Sequence, residues 1–337
     1  MLAPASERAT VCDGKGICMS STGVVSDGPH RRVAGTSAQE QFTAQLFDAL
    51  WVRYRERVEY VRTYEMLITR CGARFDNDHI AFRTLALQSP HTGIINLSRL
   101  FECLGYRAAG VYYFDDKHLF AIHFQHPNRS FPKLFISELQ VWRLAAHTRR
   151  ILERCLANHR PPLETDVLAN LCHLEQCSTA QQAELLQQVL AYIEQLPWPP
   201  PEKADVLAVN EVSQYGAWVL VHGYNVNHFT SLINSHGVPE LDDIEKTVQA
   251  LREAGVPMKA EIEGARGSIL RQSATAAAVV DVTVREGDRL VSMPWTYAYF
   301  ELAERGYVSD PQTGQPVRFE GFLGAQATHL FEMTRRT

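Results

Sequence analysis

The stretch Asp78-His-Ile-Ala-Phe-Arg-Thr84 opens a series of predicted elements that begins again at Asn227-His228. Each series reads as a strand, a helix and three strands. The first series ends with Ile136-Ser-Glu-Leu139 and the second with Tyr299-Phe-Glu-Leu302. The separations from His to Glu, 79 to 138 and 228 to 301, are similar enough for two copies of one module that differ in loop length. The sequence therefore predicts a weak internal repeat with βαβββ order in each half.

Apolar periodicity and glycine positions predict the bounds of these elements. In the first half we expect a strand over 79–85, a helix over 95–104 and strands near 108–114, 118–124 and 133–139. In the second half we expect a strand over 217–230, a helix over 241–254 and strands near 267–276, 278–284 and 291–303.

Helical periodicity predicts further segments around the two modules. Residues 1–37 are rich in Gly, Ser and Ala and indicate a disordered leader. An N-terminal helical arm is expected over 38–70, the first module over 71–139, a helical insertion over 140–205, and the second module with a C-terminal closing segment over 206–337. The predicted fold class is α+β: one barrel built from two pseudo-repeated modules, with an inserted helical layer.

Composition narrows the class of function. The chain has 337 residues, 45% of them hydrophobic, and a formal net charge of −5, so it lacks the basic surface that binds nucleic acid or anionic membranes. No apolar run approaches the roughly 18 residues needed to span a bilayer. Seven cysteines, an odd number without framework spacing, indicate reduced thiols. We therefore expect a cytoplasmic protein that acts on a small molecule.

Three side chains in the repeat fit a metal site. Two imidazoles and one carboxylate on one face of an octahedron leave three positions for substrate and dioxygen, as in non-haem iron(II) oxygenases. His79, His228 and Glu301 can supply this set if the two modules meet face to face. The alternative for each is structural, since a histidine on a strand more often makes a hydrogen bond than binds a metal. Glu138 is a candidate fourth ligand or a hydrogen-bonding partner.

Strand alternation places further side chains beside these candidates. Arg83 lies four residues after His79 and therefore on the same face, where its guanidinium can bind a substrate carboxylate in bidentate fashion. Even spacing adds four candidates for the cavity wall, His222 and Tyr224 with His228, and Tyr297 and Tyr299 with Glu301.

With these residues in view, the sequence resembles a known family, the 2-oxoadipate dioxygenase/decarboxylases or hydroxyglutarate synthases, in their shorter plant-like form. The likeness runs from about residue 40 to the C-terminus. It is carried by the opening stretch and by Pro132-Lys-Leu-Phe-Ile-Ser-Glu-Leu139, Tyr215-Gly-Ala-Trp-Val-Leu-Val-His-Gly-Tyr-Asn-Val-Asn-His228, Leu270-Arg-Gln-Ser-Ala-Thr275, Tyr299-Phe-Glu-Leu-Ala-Glu-Arg305, Gly321-Phe-Leu-Gly-Ala-Gln326 and Leu330-Phe-Glu332.

The resemblance implies a fold related to the vicinal oxygen chelate superfamily and Fe(II) held by His79, His228 and Glu301. It places the substrate arginine on Arg83 and the part of the C-terminal segment that closes the pocket near Ala325 and Gln326. Further candidate substrate contacts are Tyr224, Gln272 and Tyr297. This chain departs from the family pattern at Gln326, where relatives often carry Ser or Asn, and at His222, which replaces a common Asn.

The implied reaction converts a 2-oxo acid, 2-oxoadipate in the family, with O2 into 2-hydroxyglutarate and CO2. Arg83 would hold the carboxylate remote from the metal. Two other hypotheses remain at this point. The same metal site could serve another reaction, such as oxygenation of another 2-oxo acid, ring cleavage, isomerisation or lyase chemistry, or the chain could be a binding module without metal. Mn(II), Co(II) and Zn(II) suit the same ligands, and the oligomeric state is left open.

Overall fold

The computed structural model describes residues 28–160 and 163–323. Its helices are α1 (Ala38–Arg57), α2 (Tyr60–Cys71), α3 (Ile94–Cys103), α4 (Ala146–Leu156), α5 (Thr165–Cys172), α6 (Thr179–Glu194), α7 (Lys203–Val212), α8 (Gln214–His222) and α9 (Ile244–Glu253). Its strands are β1 (Asn77–Ala86), β2 (Arg107–Phe114), β3 (Leu119–Gln125), β4 (Lys133–Gln140), β5 (Val226–Leu232), β6 (Leu270–Ala274), β7 (Val279–Glu286), β8 (Arg289–Thr296), β9 (Glu301–Arg305), β10 (Tyr307–Ser309) and β11 (Pro316–Arg318).

The two modules share one seven-stranded sheet with the order β2-β3-β4-β1-β5-β9-β6. In each module the first strand pairs in parallel with the last, β1 with β4 and β5 with β9, and the last pairs antiparallel with another strand of its module. Strands β1 and β5 pair antiparallel where the modules meet. The predicted α+β fold with an internal repeat is confirmed, and the junction of the repeats lies inside the sheet.

The second module differs from the predicted βαβββ order in its strands. The expected strand over 291–303 is two separate strands, β8 and β9. Strand β8 pairs only with β7 in a two-stranded sheet of its own, and β10 pairs with β11 in another. The hairpin β7–β8 therefore lies outside the main sheet, and β6 is the strand that flanks β9.

The predicted strand over 217–230 is wrong in its first half, where helix α8 precedes β5. Every residue from Tyr215 to His222 is buried, and a short, continuous apolar run does not distinguish a buried helix from a buried strand. The boundary signals were present in the sequence. Ser213 caps the helix by accepting a hydrogen bond from the Gly216 amide at 3.1 Å, and Gly223 ends it with φ of 60°. The helical layer thus continues to His222, beyond residue 205.

The N-terminal arm packs on the face of the sheet opposite the candidate site. Trp51 on α1 meets Phe229 on β5 edge to face, with ring centroids 5.1 Å apart, and the Tyr54 hydroxyl donates to the Tyr299 carbonyl. Because strand residues alternate, the side chain after His228 contacts the arm while His228 points to the other face. The arm thereby supports the strand that carries a candidate ligand.

The prediction of a disordered leader is wrong for residues 28–37, which are folded. Residues Arg31–Val33 form a short 3₁₀ turn. The His30 side chain is buried, with its Nδ1 2.8 Å from Asp48 Oδ1 on α1. The rest of the expected leader, residues 1–27, lies outside the described part of the chain. Among the described helices, none combines the length and the apolar character that a membrane span requires.

Candidate metal centre and active site

His79, His228 and Glu301 lie on three adjacent strands, β1, β5 and β9. His79 is opposite Thr230 in the β1–β5 register, and Glu301 is opposite the same Thr230 in the β5–β9 register. The two Nε2 atoms are 3.4 Å apart. Glu301 Oε2 is 3.2 Å from His228 Nε2, and Glu301 Oε1 is 3.6 Å from His79 Nε2. The sheet therefore brings together the three ligands that the sequence predicts.

These separations suit a metal ion. Ligand atoms about 2.1 Å from a metal and at right angles to one another lie about 3 Å apart, which is close to the observed spacing. All three side chains are buried. Among the His, Cys, Asp and Glu side chains of the described residues, these three have ligand atoms close enough together to share one metal ion. They form a three-residue site that can hold a metal ion.

The electrostatics of the three side chains also suit a cation. Burial raises the pKa of Glu301 well above its usual range, although Gln272 donates a hydrogen bond to Oε1. Burial lowers the pKa of His79 and of His228, so both imidazoles are neutral and able to coordinate. Within the described structure, Glu301 Oε2 has no hydrogen-bond donor. A divalent cation would supply the positive charge that this buried carboxylate lacks.

The residue before each histidine orients its ring. Asp78 Oδ2 lies 2.7 Å from His79 Nδ1, and Asn227 Oδ1 lies 3.0 Å from His228 Nδ1. In both cases the side-chain oxygen accepts from Nδ1–H, which leaves Nε2 free to bind a metal. The two partners differ in charge, since Asp78 is a carboxylate and Asn227 a neutral amide.

Asp78 stays ionised despite its complete burial. Burial alone would raise its pKa, but the Arg305 guanidinium and the Lys133 ammonium outweigh burial and hold the pKa well below its usual range. Arg305 donates two hydrogen bonds to the carboxylate, at 2.6 and 2.8 Å. Asp78 therefore presents a fixed negative charge to His79.

A cavity with about 440 Å³ of empty space, counting its mouth, opens beside the three ligands. Its wall includes both histidines and Arg83, and it is completed by Ala81, Phe82, Phe135, Ser137, Asn227, Gln272, Tyr299, Phe322 and Leu323. The predicted Arg83 thus shares one cavity with the two candidate histidine ligands.

Helix α8 fixes the position of Arg83. The Arg83 Cζ lies 5.1 Å from the centroid of the Tyr215 ring and 5.3 Å from that of Trp218. Both distances fall within the range of cation–π attraction. The Tyr215 hydroxyl is held in turn by Ser137 Oγ at 2.8 Å. A buried guanidinium, held by aromatic rings at the cavity wall, is suited to bind an anionic group.

The other predicted site residues divide into two groups. Gln272 and Tyr299 line the cavity; Gln272 bonds Glu301, and Tyr299 stacks on His228 with centroids 4.7 Å apart. His222, Tyr224 and Tyr297 do not line it, so their prediction as cavity-wall residues is wrong. His222 lies on α8, not on a strand, and even spacing from His228 therefore has no meaning there. Ala325 and Gln326 lie outside the described residues.

Each of the three misplaced residues has a structural partner elsewhere. The Tyr224 hydroxyl bonds Asn96 Nδ2 and His159 Nε2, at 2.9 and 2.7 Å. Tyr297 packs against Trp218 and His222, and His222 Nε2–H donates to the Thr296 carbonyl at 2.9 Å. These contacts stabilise the helical layer behind the cavity.

The register also corrects the internal repeat. Thr230, two residues after His228, pairs with Glu301, whereas Ala81, two residues after His79, pairs with Phe135. Phe135, not Glu138, is therefore the structural counterpart of Glu301. Glu138 lies three residues further along β4, where it accepts a hydrogen bond from the Ile94 amide at the start of α3. It is not a fourth ligand.

Sequence reasoning gave no role to several residues around the site. Asp78 and Asn227 orient the histidines, Arg305 holds Asp78, and Phe322 covers His79 with ring centroids 4.9 Å apart. The position of Asp and Asn immediately before the two histidines was a usable signal. No signal in the sequence predicted the pairing of Arg305 with Asp78 or the contact of Phe322 with His79, because these contacts join distant parts of the chain.

The fold and the cavity define an α+β protein whose central sheet carries a three-residue site that can hold a metal ion. The family follows from the sequence, because residues 69–316 match the model of the 2-oxoadipate dioxygenase/decarboxylase family. The chain belongs to that family, whose members are oxygenases, and the predicted resemblance is confirmed.

Two curated plant proteins are similar to this chain. The chloroplastic 2-oxoadipate dioxygenase/decarboxylase of Arabidopsis thaliana is 27% identical over 278 residues, covering 76% of this chain and 67% of that protein. The chloroplastic/amyloplastic protein of the same name from Oryza sativa subsp. japonica is 26% identical over 297 residues, covering 82% and 72%.

Solved structures support the fold. The hydroxyglutarate synthase of Oryza sativa in complex with 2-oxoadipate has a TM-score of 0.71 at 23% identity, covering 90% of this chain and 95% of that one. A protein from Ralstonia eutropha JMP134, described as belonging to the glyoxalase superfamily, has a TM-score of 0.73 at 22% identity, covering 86% and 89%. At these identities the likeness concerns the fold.

Proposed function

We propose that this chain is an Fe(II)-dependent dioxygenase/decarboxylase that converts 2-oxoadipate and O2 into 2-hydroxyglutarate and CO2. The observation that carries the proposal is the convergence of His79, His228 and Glu301, two of which line a cavity together with the buried guanidinium of Arg83. Membership of the family, and the structure of a relative with 2-oxoadipate bound, support the choice of substrate.

Two imidazoles and one carboxylate would hold Fe(II) and would leave room on the ion for a substrate and O2. Fe(II), when bound, would hold the 2-oxo acid group and supply electrons for the activation of O2. In the net reaction the bond between the carboxylate and the keto carbon breaks, and that carboxylate leaves as CO2. All four electrons that reduce O2 come from the same substrate molecule. No second 2-oxo acid is consumed.

Arg83 is proposed to hold the substrate's remote carboxylate. The side chain is 2% exposed and its charge is always present, so a dicarboxylate that enters the cavity finds one fixed positive group away from the three ligands. A bidentate pair fixes orientation as well as affinity. This arrangement selects acids with two carboxylates, one toward the metal ligands and one toward Arg83.

Asn227 is proposed as a second substrate contact. Its Oδ1 is committed to His228, while its Nδ2 is buried and has no acceptor within the described structure. The side chain is 1% exposed and lines the cavity. A buried amide donor without a partner costs free energy unless a ligand supplies an acceptor. An oxygen atom of the bound 2-oxo acid would satisfy it.

The aromatic wall is proposed to exclude water from the reacting groups. Phe135 and Phe322 pack against each other at 4.9 Å between centroids, and Tyr299 stacks on His228. A dry cavity strengthens the attraction between Arg83 and an anionic substrate.

The proposal is tested with protein purified without oxygen and loaded with Fe(II). After addition of 2-oxoadipate, O2 is admitted, and O2 uptake, CO2 release and 2-hydroxyglutarate are measured together. We expect a ratio of one to one to one and no turnover without Fe(II). Parallel samples with Mn(II), Co(II) and Zn(II) identify the active metal.

Two controls decide the outcome. His228→Ala should remove the activity together with bound iron. A monocarboxylic 2-oxo acid of similar length should react much more slowly, because Arg83 then has no carboxylate to bind. If the iron-loaded protein takes up no O2 with any acidic 2-oxo acid, the proposed reaction is wrong, and other chemistry of this metal site must be considered.

A further inference from the structure

The chain after β11 covers the candidate metal centre. We define residues 319–323 as the closing segment. Its Phe322 ring lies edge-on to His79 at 4.9 Å between centroids, with an interplanar angle of 87°. The Phe322 amide donates to the Tyr112 hydroxyl at 3.2 Å, and Phe322 and Leu323 line the cavity. The closing segment is therefore one wall of the site.

Arg305 joins this segment to Asp78. Its Nη1 donates to the carbonyls of Phe319 and Gly321, at 3.0 and 2.8 Å. Its Nε and Nη2 donate to the two oxygens of Asp78. The guanidinium is fully buried, and its Cζ lies 5.3 Å from the centroid of the Phe322 ring. The Arg305 guanidinium thus bonds the closing segment on one side and Asp78, the hydrogen-bond partner of His79, on the other.

Lys133 makes a second connection of the same kind. Its Nζ forms an ion pair with Glu320 in the closing segment and lies 3.8 Å from Asp78 Oδ1. Lys133 is 8% exposed. Arg305 and Lys133, the two cations beside Asp78, therefore each bind a group of the closing segment.

We propose that Arg305 and Lys133 are positioning residues that couple the docking of the closing segment to the orientation of His79 as a metal ligand. This inference rests on the proposed function, because it assumes that His79 binds metal. When the segment undocks, Arg305 loses two carbonyl acceptors and Lys133 loses Glu320. Water then reaches Asp78, and the geometry that aims His79 Nε2 is no longer fixed.

Hydrogen-bonding partners of metal-bound histidines in other proteins indicate how much the metal affinity should change. Loss of a group that orients a metal-bound histidine typically weakens metal binding about 10- to 100-fold. Coupling is reciprocal, so a metal that binds more tightly to the docked state must stabilise docking by the same factor. The inference therefore predicts two linked quantities, the metal dissociation constant and the hydrogen exchange of the closing segment.

The experiment measures both quantities on the full chain. Metal affinity is obtained by competition between the protein and a coloured chelator for Mn(II) and, without oxygen, for Fe(II). Hydrogen exchange is followed in the peptide that contains residues 319–323, with and without saturating metal. We expect metal to slow the exchange of this peptide in the unaltered protein.

Two variants change the connection. Glu320→Gln removes the negative partner of Lys133 without touching the cavity ligands, and we expect roughly threefold to tenfold weaker metal binding with faster exchange of the segment. Arg305→Lys keeps the charge but loses the fork, and we expect about 10- to 100-fold weaker binding. Glu320→Gln keeps the inference testable if the buried Arg305 variant does not fold.

Glu194→Gln is the matched control. Glu194 pairs with Arg53 on α1, and its side chain is 16% exposed, against 20% for Glu320. The same chemical change at this position should alter neither quantity.

Two results would overturn the coupling while leaving the metal site intact. One is a closing segment whose exchange does not respond to metal in the unaltered protein. The other is Glu320→Gln with faster exchange of the segment and an unchanged metal dissociation constant. Failure of the unaltered protein to bind Mn(II) or Fe(II) would instead overturn the metal site, and the coupling with it.

Discussion

The guanidinium of Arg83 lies over the indole ring of Trp218, with 5.3 Å between Cζ and the ring centroid. Trp218 is itself fixed, since its Nε1–H donates to the Tyr297 carbonyl at 2.6 Å. Helix α8 therefore fixes the position of Arg83, the cation that strand β1 contributes to the cavity wall.

Replacement of Arg83 by glutamine should weaken substrate binding and leave the metal in place. Charged hydrogen bonds contribute about 1.5–3 kcal/mol, so we expect KM for 2-oxoadipate to rise roughly 10- to 150-fold. Arg83→Lys should restore only part of the affinity, because lysine cannot form the bidentate pair. Steady-state kinetics and metal analysis measure both effects. Arg57→Gln, on an arginine that stacks on Tyr297 outside the cavity, is the control, and unchanged KM in Arg83→Gln would contradict the role.

Removal of a candidate ligand should abolish tight metal binding. His228→Ala deletes one of three donors and Glu301→Gln replaces the anionic carboxylate by a neutral amide, and we expect metal content after dialysis to fall from about one ion per chain to near zero. The measurement is elemental analysis beside a chelator titration. His159→Gln is the matched control, because His159 is a hydrogen-bonded histidine outside the cavity. Full iron retention in both ligand variants would show that the ligands lie elsewhere.

Asn227→Asp separates two functions of one side chain. The variant keeps the oxygen that accepts from His228 Nδ1 but replaces the free N–H donor by a second acceptor. We expect metal affinity to be kept and the KM for a dicarboxylate to rise about tenfold or more, since the new charge repels the substrate. Asn225→Asp, outside the cavity, is the control. An unchanged KM would remove Asn227 from the substrate site.

Acid should destabilise the protein through His222. Burial lowers the pKa of His222 to about 3, whereas the unfolded chain has a pKa of about 6.5. The unfolded state therefore binds the additional proton between these values, and stability is lost as the pH falls below 6.5, by up to about 1.4 kcal/mol per pH unit. Above pH 6.5 both states are neutral at this residue and the effect disappears.

His222→Asn isolates this contribution, because asparagine can still donate to the Thr296 carbonyl but does not titrate. Urea unfolding at pH 7.5 and pH 5.0 gives the free energy of unfolding for both proteins. Between these pH values the unaltered protein should lose about 2 kcal/mol more than the variant. Equal losses would mean that His222 is not held neutral in the folded state.

The sequence was sufficient to predict that the two histidines meet, because they are repeated and lie on strands. His79 and His228 occupy equivalent positions of the two modules, and in the register each pairs with the residue two places after the other. Any sheet that pairs the first strands of the two modules in this way brings both rings together. Arg83 was predicted from its spacing to His79 along the same strand, and both residues line the cavity.

The positions of other site residues could not be predicted from local sequence patterns. The run from Tyr215 to Val221 is buried on all sides as a helix, so it lacks the amphipathic period that reveals surface helices. Tyr224 and Tyr297 were placed by counting along predicted strands, but Tyr224 precedes the start of β5 and Tyr297 lies between β8 and β9. Arg305 reaches Asp78 across the sheet, at a sequence separation of 227 residues. Such contacts are set by tertiary packing, and a single sequence gives no signal for them.

Phe135 occupies the position in the first module that Glu301 occupies in the second, and this difference affects how a metal ion would be coordinated. A perfectly symmetric pair of modules would offer two imidazoles and two carboxylates, and such a set would occupy more of the ion and neutralise its charge. The benzyl ring gives neither an electron pair nor a charge. A bound ion would then have one carboxylate instead of two and would keep more of its positive charge for the proposed binding of a 2-oxo acid and O2.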